Sequence, residues 1–237
     1  QGLTASVVDG GGGVVVACPR IGTTGAAQEF ARTIIQGRTR AEVARFRIGA
    51  AEARVAAAIA YPAGIELGIS TADIRRENNK VIYCNIGAFG DAGPYKERRG
   101  YDPLMQASAG LMSVTGEGGD RPPVRVGTSI IDMGTGMWTA LGIMAAVRQR
   151  DESGEGCTID ASLYETAIAW MTYHAAAYDA SGDIPKAAGS GMNAIVPYQA
   201  YECSDGYLVV AAGGDSLFVR LSKVLGHPEW PEDPRFK

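Results

Sequence analysis

The sequence predicts an α/β fold: a large α/β domain over residues 1–185, followed by the start of a smaller α+β domain over residues 186–237. Three observations carry this reading. Between residues 70 and 180, short β-rich apolar runs alternate with longer apolar runs of helical length, the order that lays helices on a sheet. The strand-like run at 80–86 opens into a long Gly/Pro loop, where α/β proteins place binding residues at the carboxyl ends of strands. After a Gly-rich stretch at 182–191 the pattern changes to two strands around a turn, which sets the boundary near residue 185.

Taken in order, Gly10 to Gly13 lead into Val14, Val15 and Val16, a strand. A dinucleotide fingerprint needs the opposite order, with strand before glycines and a helix N-terminus after them, so a nucleotide loop is disfavoured here. Residues 26–35 and 40–60 are Ala/Arg-rich and predict helices. Ser70 with Asp73 three residues on predicts a capping box and a short helix ending near Asn78 and Asn79. KVIYCNI, residues 80–86, predicts a buried strand. Helices follow over 104–114, 133–149 and 162–180, with CTIDAS as a short strand between the last two. IVPYQAYEC and YLVVAAG flank Ser204, Asp205 and Gly206, which predicts a hairpin turn. A helix over about 215–226 closes at Gly226 and Pro228.

A hydrophobic content of 46% with 20% charged residues suits a globular protein with a sizeable core. The net charge of -4 argues against a general nucleic-acid binder, which needs a basic face to displace counterions from phosphates. The four cysteines, Cys18, Cys84, Cys157 and Cys203, show no C-x-x-C pairing and read as reduced cysteines with no metal site, placing the protein in the cytoplasm. No apolar run is expected to span a bilayer and no leader opens the chain, so no membrane partner is expected. The termini at Gln1 and Lys237 read as cut ends of a longer protein.

The most informative stretch is PPVRVGTSIIDMGTGMWTALGIMAAVRQR. From Met133 to Val147 nearly every position is apolar or small, predicting a helix buried on all sides. Asp132 stands immediately before it. Taken alone, Asp132 reads as an N-cap that accepts hydrogen bonds from first-turn amides. The same position also favours an ionised carboxylate, a standing nucleophile, and Gly127, Gly134 and Gly136 around it leave room for close approach of a ligand. Attack on a thioester would give a mixed anhydride.

The runs VIYCNIGAFGDAGPY, RRGYDPLMQASAGLMSVTGE, PPVRVGTSIIDMGTGMW, LGIMAAVRQRDESGEG and TIDASLYETA keep order and spacing, and IVPYQAYECSDGYLVVAAGGDSLFVRLSKVLG extends the series. Together they resemble the family III CoA-transferases, also called the CaiB/BaiF or formyl-CoA transferase family. The resemblance begins near Lys80; residues 1–70 match poorly, with only YPAGIELGIS, residues 61–70, faintly similar to the family's Asn-Phe-x-Pro-Gly-like segment. It implies a Rossmann-like large domain with a parallel sheet and an interlocked, ring-like homodimer. The family's final segment, which returns to the first domain, lies beyond Lys237. Coenzyme A and acyl-CoA are implied as substrates with a carboxylic acid acceptor, and no tightly bound cofactor.

By the same resemblance Asp132 is the catalytic nucleophile, forming an acyl anhydride and then an aspartyl-CoA thioester. Arg99 and Tyr101 fall where family members contact CoA: Arg99 to pair with a phosphate, Tyr101 to stack on or hydrogen-bond the cofactor's reactive end. Gly189, Ser190 and Gly191 fall where formyl-CoA transferases carry a loop that closes over the intermediate, although the continuous glycines are missing here. The related α-methylacyl-CoA racemases have a histidine where this chain has Tyr101. A tyrosine is roughly a thousandfold less available as a base at pH 7 than a group titrating near neutrality, so transfer is preferred to racemisation. A non-catalytic CoA-binding subunit, with Asp132 only a cap, is the remaining alternative. His174 and His227 read as structural or surface residues.

Overall fold

A computed structural model of the chain describes residues 6–10, 13–17, 56–59, 70–192 and 194–236. The described chain divides into two compact units, residues 1–109 with 127–173, and residues 110–126 with 174–237.

The first unit is built on a five-stranded sheet in the order β1 (Ser6–Gly10), β2 (Gly13–Ala17), β3 (Ala56–Ile59), β4 (Ile82–Gly87) and β5 (Thr158–Ser162). β1, β2 and β3 pair antiparallel, whereas β3, β4 and β5 run parallel, so the sheet is mixed rather than wholly parallel. The valine run after the glycines is β2, as expected. The expected helix over 26–35 and most of that over 40–60 lie outside the described residues. Its end is corrected: Ala56–Ile59 is a strand, because pairing on both edges, with Ala17 on one side and Ile82–Asn85 on the other, overrides the helical propensity of alanine.

Helix α1 (Thr71–Glu77) starts with the expected capping box. The Asp73 amide donates to Ser70 Oγ at 3.3 Å, and the Ser70 amide and hydroxyl donate to Asp73 Oδ2 at 3.3 and 2.7 Å. That reciprocity satisfies two otherwise orphaned donors and holds Asp73 below its usual carboxylate range, chiefly through the Ser70 hydroxyl. Val81, Ile82, Tyr83 and Cys84 are all buried, so the KVIYCNI run is the inner strand the sequence implied. Burial pushes the Tyr83 hydroxyl and the Cys84 thiol each up to about 12.

Helix α2 (Asp102–Ser108) ends earlier than predicted: Gly110 turns left-handed at φ 85°, and a separate 3-10 turn follows at Leu111–Ser113. Helix α3 (Ile130–Ser153) is longer than predicted at both ends and stops at Gly154. Its Ala146 joins Ile82 in the core, with Ile143, Val147, Cys157 and Ile159 packed around them. The helix is not buried on all sides, however. Met133, Met137, Trp138, Leu141 and Met144 are exposed, a stripe at helical spacing along the face turned away from the sheet. By length and composition α3 also passes for a membrane span, with 24 residues and an 18-residue window of mean hydropathy 1.4, against the expectation that no run approaches that length. The packing of its other face on β4 and β5 makes it a covering helix of the sheet.

The predicted helix over 162–180 is two: α4 (Leu163–Trp170) and α5 (Thr172–Ser181), broken at Met171. Ser162 caps α4 by accepting the Glu165 amide at 3.0 Å.

In the second unit, β6 (Tyr198–Cys203) and β7 (Gly206–Ala211) form the predicted hairpin, in register from Tyr198 with Ala211 to Cys203 with Gly206. Helix α6 (Asp215–Val224) follows. Beyond it His227 stacks on Trp230 at 4.3 Å, Trp230 meets Phe236, and Phe236 meets Phe218 of α6. His227 thus closes a small aromatic cluster.

Candidate active site at the start of helix α3

Asp132 does not precede α3; it is the third residue of the helix and is exposed. The N-cap is Ser129, whose side chain makes no capping bond. Capping comes from another helix. Asp102, the first residue of α2, accepts the Ile131 amide at 2.7 Å and the Asp132 amide at 3.2 Å through the same oxygen, Oδ2. Its other oxygen accepts Gln106 Nε2 at 2.5 Å, one turn along α2. Asp132 is therefore not the N-cap residue its place in the sequence suggested, and the Ile131 and Asp132 amides are taken by Asp102, which is 2% exposed.

The same turn is held from its other side. Thr135 Oγ1 lies 2.8 Å from the Ile131 carbonyl and 2.8 Å from the Thr166 hydroxyl, and Thr166 donates to the Ser162 carbonyl at 3.1 Å. Gly134 makes this approach of α3 to α4 possible. A Cβ there would meet Thr166 Cγ2 and Trp170 Nε1, each at 3.0 Å. Its place in the sequence suggested space for a ligand; the structure gives it to helix packing instead. Gly127 and Gly136 do face open space, with nothing within 4 Å of an added Cβ.

Arg99 and Tyr101 are exposed on the loop between β4 and α2, and Tyr101 directly precedes Asp102. The carboxylate that grips the start of α3 thereby fixes the loop end that carries both residues. Upstream, the loop is anchored by aromatic packing: Phe89 meets Tyr95 edge-on at 5.4 Å and Tyr164 of α4 at 5.5 Å. Arg98 lies over the Tyr95 ring at 4.3 Å, which gives it a local cation–π role, and Lys96 is exposed.

Gly189, Ser190 and Gly191 belong to the second unit. They form a tethered turn: the Gly189 amide donates to the Gly116 carbonyl at 2.7 Å, the Gly191 amide to the Ala188 carbonyl at 2.9 Å, and Ser190 Oγ accepts the Ala200 amide of β6 at 3.0 Å. Gly189 has φ 63°, a conformation suited to glycine.

Cys84 is sealed in the sheet and its thiol is pushed to about 12 by burial, so it is not a thiolate near neutrality. His174, partly buried in α5, has its pKa lowered by that burial.

Sequence reasoning missed Asp102. Its signal was the D-P-x-x-Q pattern, which puts an aspartate and a glutamine four apart on one face of a helix start. Two such polar groups on the buried side require partners, and here the partners are the amides of α3.

Fold and site together define a mixed α/β protein with an exposed carboxylate on a braced helix start. The chain belongs to CoA-transferase family III, whose pattern matches residues 56–237. It is 39% identical over 173 residues to the succinyl-CoA:glutarate CoA-transferase of Mus musculus, covering 73% of this chain and 39% of that protein. It is 34% identical over 172 residues to the succinyl-CoA--D-citramalate CoA-transferase of Chloroflexus aurantiacus, covering 72% of this chain and 42% of that protein. A solved CaiB/BaiF family protein from Brucella suis is 33% identical with a TM-score of 0.65, covering 90% of this chain and 52% of that one. The chain thus spans about two fifths of the length of these curated relatives.

Proposed function

We propose that the protein transfers CoA from an acyl-CoA to a carboxylic acid, with Asp132 as nucleophile. The observation that carries this is the division of labour at α3: Asp102 supplies the cap, and Asp132 is an exposed carboxylate in the first turn. The helix N-terminus favours the charged form of such a group. A carboxylate oxygen of Asp132 attacks the thioester carbonyl; the C–S bond breaks, CoA leaves as thiolate, and a mixed anhydride remains on Asp132. The thiolate then attacks the aspartyl carbonyl, releasing the first acid and leaving an aspartyl-CoA thioester. The acceptor carboxylate attacks that thioester and expels CoA thiolate again. Attack of the thiolate on the acceptor's acyl carbon forms the new acyl-CoA and returns Asp132 to its carboxylate.

In this reading Arg99 pairs with a phosphate of CoA and Tyr101 contacts its reactive end. CoA enters as substrate, with no tightly bound cofactor. The relatives' names support a dicarboxylic acceptor and succinyl-CoA as donor. The exposed Met/Leu/Trp stripe of α3 supports a homodimer in which that face is covered. The large domain ends near residue 185, and the widely spaced cysteines support a cytoplasmic protein.

The test is chemical. The protein is incubated with succinyl-CoA and hydroxylamine, and the peptide carrying Asp132 is weighed. A hydroxamate or CoA adduct on Asp132 is expected; an unmodified Asp132 peptide during turnover would sink the reading.

A further inference from the structure

We propose that Asp102 is a positioning residue for the reaction at Asp132, an inference that rests on the nucleophilic role given above. Asp102 touches no reacting atom. It acts on the backbone that carries the nucleophile, through two amides of α3, those of Ile131 and Asp132. Ile131 is also gripped through its carbonyl by Thr135, so the peptide groups on both sides of Ile131 are fixed. Ile131 and Gln106 are each 0% exposed and Asp102 2%, so the Ile131 contact is buried, and that of the Asp132 amide is part-buried. A carboxylate accepting two amides in such a place makes charge-assisted bonds, stronger and more directional than those of an exposed cap.

A helix start presents unpaired amides, and Asp102 takes those of Ile131 and Asp132. Since Asp102 is joined directly to Tyr101, the same bonds set the loop bearing Tyr101 and Arg99 against the nucleophile's turn. A small displacement of a nucleophile costs rate steeply, up to roughly a hundredfold for about 1 Å, without a matching loss of binding.

The experiment is single-turnover labelling of Asp132 by succinyl-CoA, followed by peptide mass, in the wild type, Asp102→Ala, Asp102→Asn, Gln106→Ala and the core variant Ile82→Ala. Asp102→Ala is expected to slow labelling by roughly tenfold or more while half-saturation by succinyl-CoA stays within about threefold. Asp102→Asn keeps an oxygen for the two amides, and Gln106 turned over offers its own oxygen to the new amide group. It is expected to restore the rate to within about threefold of wild type. Ile82→Ala, compared where it has lost the same thermal stability, is expected to label at nearly the wild-type rate. Labelling of Asp102→Ala at the wild-type rate would overturn the proposal. So would equal slowing of Asp102→Ala and Ile82→Ala, since the effect would then be one of general stability. If Asp102→Ala does not fold, Gln106→Ala decides: roughly threefold slowing supports the proposal, and an unchanged rate overturns it. Failure of the wild type to label at all would instead defeat the nucleophile, and this inference with it.

Discussion

Asp102 Oδ2 holds the main-chain amide of Asp132 at 3.2 Å, joining two aspartates that lie thirty positions apart in the chain. One of the two is buried and closes the helix; the other is exposed on it. The consequences of that pairing differ for the two residues and can be measured separately.

Asp132→Asn removes the proposed nucleophile and leaves the Asp102 contacts to the helix start in place. Turnover is expected to fall by roughly a thousandfold or more, with stability changed by no more than about 0.5 kcal/mol. Urea unfolding and steady-state assay check both halves. A stability loss near 1 kcal/mol with turnover retained would return Asp132 to a structural role.

Asp102→Ala strands the buried Ile131 amide and the part-buried Asp132 amide and removes one partner of Gln106. The expected loss of stability is about 2–3 kcal/mol, read as a lowered urea midpoint. A change as small as that at an exposed cap would contradict the burial described here.

Gly134 and Gly136 sit two residues apart in α3 and predict opposite outcomes. Gly134→Ala drives a methyl against Thr166 and Trp170 and is expected to destabilise by about 1–2 kcal/mol, even after the gain in helix propensity. Gly136→Ala meets nothing within 4 Å and is expected to stabilise by about 0.5–1 kcal/mol. Thermal unfolding of the two variants side by side tests this.

Alkaline pH is expected to weaken the fold. Cys84 and Tyr83 are each raised to about 12 in the folded protein, from ordinary values of 9.0 and 10.0. Their contribution is complete below pH 9, where both states are protonated, and is lost as pH rises because the unfolded chain ionises first. Each group adds a slope of up to about 1.4 kcal/mol per pH unit within its window. Urea midpoints from pH 8 to 11 measure this, and Cys84→Ala is expected to remove the part that begins near pH 9.

On the proposed transferase reading, with Tyr101 in place of a racemase histidine, solvent deuterium is not expected to enter the α-carbon of a 2-methylacyl-CoA. Mass spectrometry of recovered substrate checks this, and incorporation at a rate matching turnover would favour racemisation.

Much of the fold from Ser70 onward was legible because local signals agreed with tertiary demand. The Ser70/Asp73 spacing, the KVIYCNI run and the Ser204–Asp205 turn each specify their structure within a few residues. What stayed hidden depended on partners distant in sequence. Ala56–Ile59 is a strand only because neighbouring strands pair with it. The breadth of the apolar pattern in α3 suggested burial on every side, yet only the face carrying Ile143, Ala146 and Val147 meets the sheet. At the site, Asp132 stood out through its place before an apolar run. Asp102 did not, because the Asp102/Gln106 spacing marks a polar pair on one helix face without recording that its partners are main-chain amides of another helix.

The bonds that Asp102 and Thr135 make around position 132 reach only main-chain atoms. Those bonds therefore do not depend on which side chain stands at 132. A serine, cysteine or glutamate installed there would inherit the same backbone path, so the helix start offers an interchangeable mount on which different acyl-transfer groups can be compared.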